Sequence, residues 1–171
     1  MRVLSSAGHI AVFYRVNAMS RVLEEAFIRN KIPYQIVRGV EFYSRKEIRN
    51  LLAYLKILVN PNDEIALLRI INSPARGIGK TTIDRVRAYA AANNITLLDA
   101  FKNAGNIDSL SKAPKAKIAA FINMLEQFKK GMEGKVGQLA ERIFAESGLK
   151  KSLQTAEDSS ALENVNELIN A

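Results

Sequence analysis

Most of the chain carries apolar residues spaced three and four positions apart, the repeat that buries one face of an α-helix. Helices are predicted over residues 45–59, about 116–130 and 138–147, with a short one over 96–102. A last helix, capped by Ser160, is predicted to turn Leu162, Val165, Leu168 and Ile169 inward. Residues 103–114 and 154–160 are predicted loops. The pattern therefore predicts a mainly α fold.

The first 42 residues show a different pattern. An unbroken apolar run at 10–14 is typical of a strand buried on both faces, and residues 34–37 predict a second strand. Between them Ser20 can cap a helix reaching about Asn30, with its inner face made by Val22, Leu23, Ala26 and Phe27. Strand, helix and strand make one βαβ unit. Such a unit cannot cover both faces of its own sheet, so we expect residues 1–42 to be a piece of a larger α/β domain.

Between two of the predicted helices lies a sharp turn. Pro74 ends the first helix, and Gly77 and Gly79 flank Ile78, whose side chain can point inward. Glycine is expected at both positions for backbone freedom and close approach, so that valine at Gly79 should break the turn. Thr81 or Thr82 is predicted to cap the following helix. The expected product is a helix-hairpin-helix-like Gly-Ile-Gly motif.

The predicted turn has the chemistry of an anion site. Amides at the N-terminus of a helix attract anions, and cations surround this one: Arg76, Lys80, Arg85 and Arg87. A DNA phosphate is the anion that we expect. Two other interpretations exist. Gly79-Lys80-Thr81 matches the end of an ATP-binding P-loop, but that loop needs a glycine where Pro74 stands and a strand before it. The alternative left open is a plain helix turn with a solvated basic rim.

Composition narrows the function classes. The 171 residues carry a net charge of +8, and ten basic against four acidic side chains lie in residues 1–56. Such a balance favours an acidic partner. The chain contains no cysteine and a single histidine, His9, so we predict no metal site. We predict no catalytic residue either, because no carboxylate pair has the pattern of a general acid and base. A lysine cluster at 112–117 is interpreted as a solvated face. With no apolar run of membrane length, we expect no membrane partner.

Several stretches, in order, carry a family resemblance. Residues 11–26 resemble a motor motif of the UvrD/Rep/PcrA DNA helicases, and 32–34, 42–48, 53–55, 60–63 and 68–72 continue the match. Residues 74–79 are similar to the duplex-contacting hairpin of that family, and 162–168 also fit. The resemblance spans nearly the whole chain from about residue 10. Met19 and Ala161 depart from it, standing where glutamine and arginine are usual.

The resemblance implies an ATP-dependent superfamily 1 helicase that moves 3′ to 5′ on single-stranded DNA. Residues 1–42 would start its second RecA-like motor domain, and 43–171 would form a helical accessory domain, truncated at its C-terminus. The implied single-strand contacts are Tyr14, Arg15, Asn17 and Arg21. The implied duplex contacts are Arg76, Gly77, Ile78, Gly79, Lys80 and Thr81.

The resemblance also implies partners and cofactors. We expect a DNA junction, the remaining motor domains of the same helicase, and a bacterial cytoplasmic location at the nucleoid. ATP and Mg²⁺ would belong to the full-length protein. We expect no cofactor in this chain and no ATP hydrolysis by it, since it lacks the P-loop and magnesium motifs. Two rival functions stay open: a free-standing helix-hairpin-helix DNA-binding module without a motor, and a protein-docking domain.

Overall fold

The computed structural model describes residues 10–15, 19–36 and 42–170. Over these residues it is mainly helical, as predicted. Two 3₁₀ turns lie at Phe42–Ser44 and Ala104–Asn106, and the α-helices are α1 (Met19–Arg29), α2 (Lys46–Val59), α3 (Glu64–Ile70), α4 (Lys80–Asn93), α5 (Leu97–Lys102), α6 (Lys112–Lys130), α7 (Val136–Glu146), α8 (Leu149–Thr155) and α9 (Ser159–Ile169).

Helix α2 is the centre of the helical body, which we define as residues 42–170. It packs against α3, α6, α7 and α9. Ile48, Leu51 and Tyr54 of α2 are fully buried, in keeping with the helical apolar repeat. The five α6 side chains from Ile118 to Phe128 that share this repeat are buried as well. Helix α5 packs against both α4 and α6, so α4, which follows the Gly-Ile-Gly turn, rests on the same core.

Local sequence signals set most of the helix ends. Asp63 Oδ1 accepts a hydrogen bond from Ala66 N at 2.9 Å and so caps α3. Gly148, with φ of 88°, follows α7 in the left-handed conformation that glycine adopts readily. Some predicted helix starts in the body were wrong. Helix α7 begins at Val136 and not at Gln138. Helix α6 begins at Lys112 and not at Ala116, and its Pro114 is tolerated because it lies in the first turn.

The predicted start of the last helix was also wrong. The cap of α9 is Asp158, whose Oδ1 accepts from Ala161 N at 3.0 Å, and Ser160 lies inside the helix. Residues 154 and 155, predicted as loop, complete α8.

The two N-terminal segments predicted as strands are not paired in the described residues. Residues 10–14 and 34–36 do not form strands, and Val37 lies outside the described residues. Ile10 and Phe13, predicted to be buried on both faces, are 67% and 94% exposed. A strand exists through hydrogen bonds to a neighbour and burial of its faces. In the described part of this chain, neither segment forms a strand and no side chain of either segment is fully buried.

Helix α1 forms near its predicted position, but Ser20 lies inside it and does not cap it. Of the predicted inner face, Leu23 and Phe27 are only half-buried and Val22 is 58% exposed, whereas Ser20 and Glu24 are buried. The Glu24 carboxylate accepts from Phe42 N at 3.1 and 3.2 Å, and Ser20 Oγ accepts from Arg45 Nη2 at 2.9 Å. Polar partners therefore hold α1 to the body. Among the described residues, no helix has the length and apolarity that crossing a bilayer requires.

Candidate nucleic-acid interface

The hairpin (residues 72–79) is held in shape by hydrogen bonds to the Asn72 side chain and by the buried side chain of Ile78. Asn72 Oδ1 accepts from Arg76 N at 2.7 Å and lies 3.4 Å from Ile78 N. Ile78 is completely buried, which confirms that its side chain points inward. Since the side chain between the two glycines is held in the core, the backbone around it is presented outward as a compact turn.

The two glycines have different roles. Gly77 has φ of 70°, and a Cβ there would collide with the Lys117 amine. Gly79 has φ of −81°, and a Cβ there would meet no atom within 4 Å. The expectation that Gly79 is conformationally required was therefore wrong, because its backbone is ordinary and its surroundings are open. Only Gly77 carries the turn's backbone requirement.

Gly79 instead begins helix α4. It is the N-cap residue, and its carbonyl accepts from Thr82 N at 3.0 Å and Ile83 N at 3.1 Å. The predicted capping by Thr81 or Thr82 was wrong, since both lie inside the helix and no side chain caps it. The first amides of this 14-residue helix thus have no side-chain oxygen in front of them. An uncapped, exposed helix start is favourable for an anion.

Two lysines lie at this helix start, and two arginines lie further along α4. The Lys80 side chain is 90% exposed and pairs with Asp84 at 2.8 Å, a surface ion pair of little strength. Lys117 Nζ lies 3.5 Å from Gly77 O, although it is 40 positions away in the chain. Arg87 is exposed on α4. Arg85 is held by Ser109 O at 2.6 Å. The hairpin therefore presents amides, a lysine of its own and a lysine from α6.

Lys117 was missed as a site residue. The sequence shows it only as part of a basic cluster on α6, and its neighbour Lys115 does behave as a surface side chain, donating to Gly105 O at 2.8 Å. No signal in the sequence relates Lys117 to Gly77, because the contact arises from the packing of α6 through α5 onto α4.

Arg76 belongs to the interior side of the hairpin. Its guanidinium donates to Ile70 O, Tyr54 Oη and Ser147 O at 2.8, 2.7 and 2.7 Å. It also lies over the Phe121 ring, 5.3 Å from the centroid. The pKa of Tyr54 is raised, chiefly by burial, with Arg76 opposing the shift. Of the six predicted duplex contacts, Gly79, Lys80 and Thr81 share the exposed helix start, with Gly77 beside them.

The four residues predicted to contact single-stranded DNA are only partly described. Tyr14 is half-buried, Arg15 is exposed, and Asn17 lies outside the described residues. Arg21 pairs with Glu25 at 2.8 Å and Glu167 at 2.7 Å, and its side chain is only 11% exposed. Burial would lower the pKa of Arg21, but hydrogen bonds to Glu167 and Glu25 outweigh this and raise it.

The residues around Gly79-Lys80-Thr81 do not fit an ATP phosphate site. Helix α3 and a proline precede the turn, where a P-loop requires a strand and a glycine. In the described part of the chain, no three acidic or histidine side chains are grouped as ligands for a metal ion. The turn is thus a helix-to-helix connection.

A family model and individual known proteins were both found to be similar to this chain, and they indicate the same family. The model of the UvrD-like helicase C-terminal domain matches residues 3–171. The ATP-dependent DNA helicase PcrA of Staphylococcus epidermidis strain RP62A is 40% identical over 166 residues, covering 95% of this chain and 23% of the relative. The PcrA helicase of Staphylococcus aureus strain Mu50 is 40% identical over 164 residues, covering 94% of this chain and 22% of the relative. The chain thus spans about a quarter of the length of these relatives, and it belongs to the UvrD-like helicase C-terminal domain family.

Proposed function

We propose that this chain is the DNA-handling segment of an ATP-dependent DNA helicase that moves 3′ to 5′, serving repair or replication. The observation that carries the proposal is the hairpin, whose exposed helix start holds Gly79, Lys80 and Thr81 beside Lys117. Its duplex contacts are proposed to be the amides of α4 together with these two lysines. Membership of a helicase family and 40% identity to named DNA helicases support the choice of DNA as the anion.

The hairpin suits a phosphate backbone better than base edges. Its donors are amides and ammonium groups at a compact turn, and such contacts position a protein on DNA without reading sequence. The buried Ile78 side chain fixes the turn in the absence of DNA, so DNA binding should require little further ordering of the turn. Lys80 needs only to leave a weak surface pair with Asp84 to reach a phosphate.

The N-terminal residues are proposed to be the start of a RecA-like motor domain, with residues 43–171 as its inserted accessory domain. The exposure of Ile10, Phe13 and Val22 supports this division. These side chains would be covered, and the segments at 10–14 and 34–37 paired as strands, by the remaining motor domains. That sheet would complete the predicted βαβ unit.

Single-stranded DNA is proposed to pass along Tyr14, Arg15, Asn17 and Arg21. Tyr14 and Arg15 are accessible in the described residues. Arg21 would contact a phosphate only after releasing Glu167, which now holds two of its nitrogens at 3.1 and 2.7 Å. With duplex on the hairpin, the substrate would be a junction. ATP and Mg²⁺ would be bound by other motor parts, in a bacterial cytoplasmic protein at the nucleoid.

A titration of the 171-residue chain with a hairpin duplex and with an unpaired oligonucleotide tests this proposal. Duplex affinity is expected to be indifferent to sequence and to fall with salt, with a slope of about −0.9 per phosphate contact. Gly77→Val should abolish duplex binding, because valine resists positive φ and would displace Lys117. Gly79→Val is the matched control and should do less harm.

The outcomes separate DNA binding from protein docking, while a longer reading frame that encodes a P-loop would separate a helicase from a free-standing helix-hairpin-helix module. Binding of unpaired DNA should change less than duplex binding in Gly77→Val, while circular dichroism shows the helices intact. If Gly77→Val binds duplex with wild-type affinity, the turn is only a connection between two helices and not a DNA contact. Absence of any salt-dependent DNA binding by the wild-type chain would favour a protein-docking domain.

A further inference from the structure

We propose that Arg76 is a positioning residue, which fixes the hairpin to the helical body and does not itself contact DNA. This inference rests on the proposed function of the hairpin and revises the assignment of Arg76 as a duplex contact. Its basis is that one guanidinium joins the entry of the hairpin to three helices of the core.

The first half of the guanidinium closes the entry of the hairpin. Nη1 donates to Ile70 O at 2.8 Å and to Pro74 O at 3.2 Å. These carbonyls lie at the end of α3 and at the proline that stops it. The backbone amide of Arg76 donates to Asn72 Oδ1 at 2.7 Å. Side chain and backbone of the same residue therefore hold the chain from 70 to 76 in one shape.

The second half ties this entry to the body. Nη2 donates to Tyr54 Oη on α2 and to Ser147 O after α7, both at 2.7 Å. A cation at the end of a helix also interacts favourably with the unpaired carbonyls there. The Tyr54 hydroxyl donates to Ser73 O at 3.1 Å, so it also links α2 to the entry of the hairpin.

Packing closes the remaining sides of the anchor. The guanidinium carbon lies 5.3 Å from the centroid of the Phe121 ring of α6, a cation–π contact. A Cβ at Gly148 would come within 3.1 Å of Pro74 Cγ, so the turn after α7 approaches the hairpin entry closely. The anchor thus touches α2, α6 and the α7 end, and each contact constrains where Gly77 and the start of α4 lie.

The geometry requires arginine specifically. Two nitrogens each serve two acceptors in different directions, which a planar fork of five donors can do and a single ammonium cannot. A phosphate could engage these nitrogens only by displacing Ile70 O, Tyr54 Oη or Ser147 O. Lysine binds phosphates well as a point charge. The two roles therefore make opposite predictions for Arg76→Lys.

The test measures duplex affinity of Arg76→Lys and Arg76→Ala in the 171-residue chain. Both should lose about tenfold or more, since each removes several charge-assisted hydrogen bonds. The matched pair Lys80→Arg and Lys80→Ala should behave differently, because Lys80 is a direct contact and retained charge should retain affinity. Near-wild-type affinity in Arg76→Lys together with a loss in Arg76→Ala would overturn the proposal in favour of a phosphate ligand.

A double-mutant cycle distinguishes positioning from simple stability. In the Arg76→Lys background, Lys80→Ala should cost little further affinity, because the displaced hairpin no longer brings residue 80 to the DNA. Full additivity of the two losses would overturn the proposal. If the Arg76 variants unfold, Tyr54→Phe removes one acceptor and keeps the shape. It should weaken duplex binding about threefold, and unchanged binding there would also overturn the inference.

The proposed function and this inference fail in different ways. If the wild-type chain binds no duplex, both fall together. If the wild type binds duplex and Gly77→Val abolishes binding, but both Arg76 variants bind as wild type does, the anchor alone is wrong.

Discussion

The N-terminal segment (residues 10–36) and the helical body bury opposite kinds of surface. In the body, apolar side chains such as Phe101 and Phe121 are buried, and the charged faces of the helices are exposed to solvent. In the N-terminal segment, Phe13 and Val22 are exposed while Ser20 and Glu24 are buried by polar partners. An amphipathic pattern therefore tells which faces a helix has, but the neighbouring elements decide which face is covered.

The largest expected effect contrasts one phenylalanine in each region. Phe101→Ala, in the fully buried core, should lower the free energy of unfolding by about 3–5 kcal/mol through lost burial and a residual cavity. Phe13→Ala removes a side chain that is 94% exposed and should leave the free energy of unfolding nearly unchanged. Urea unfolding of both variants measures this, and equal losses would erase the contrast between the regions.

A smaller effect concerns the polar attachment of α1. Arg21 hydrogen-bonds Glu25 and Glu167 with its side chain largely buried. Arg21→Ala should weaken the attachment by about 2 kcal/mol, the scale of hydrogen bonds between charged groups. Hydrogen exchange should then accelerate in residues 19–29 and stay unchanged in α2. Already in the wild type, α1 amides should be less protected than those of α2.

Comparable protection of α1 and α2 in a dilute monomer would contradict this ranking. The charge-reversing pair Arg21→Glu/Glu167→Arg is the matched control, since it keeps an opposite-charge pair at the same place and should recover part of the protection.

The smallest expected effect is a pH dependence of the same attachment. The pKa of Glu25 is lowered from its ordinary value of 4.5, first by the Tyr43 hydroxyl hydrogen bond and then by Arg21. A lowered folded-state pKa means that the stabilisation is complete above 4.5 and disappears as pH falls through the lower folded value. NMR titration of the α1 amides from neutral pH downward should show this loosening.

Glu25→Gln removes the titrating group and should flatten that transition. If Glu25→Gln keeps the full transition, another carboxyl governs the loosening of α1.

How much the sequence predicts also differs between the regions. For the body, local signals suffice: the apolar stripe on α6 is buried as its spacing predicts, Asp63 caps α3 and Gly148 follows α7, because apolar repeats and caps act within a few residues. For α1, the sequence predicted the helix but not which of its faces is buried. The partners that bury Glu24 and Ser20 are Phe42 N and Arg45, which lie 18 and 25 positions away in the chain.

The hairpin shows the same limit at smaller scale. Its place and the inward Ile78 follow from local residues. The roles of Gly77 against Gly79, the approach of Lys117 and the anchoring of Arg76 follow from tertiary contacts with α6, α2 and α7. No spacing in the sequence encodes those contacts.

The salt dependence of duplex binding by the wild type and Lys80→Ala shows whether the start of α4 binds phosphates. If the start of α4 binds phosphates, Lys80→Ala should bind all duplex sequences more weakly, and its salt slope should be smaller by about one contact. Lys56→Ala, an exposed lysine on α2, is the charge-matched control and should leave the slope unchanged. If Lys80→Ala has the same salt slope and duplex affinity as Lys56→Ala, the start of α4 does not bind DNA phosphates through Lys80.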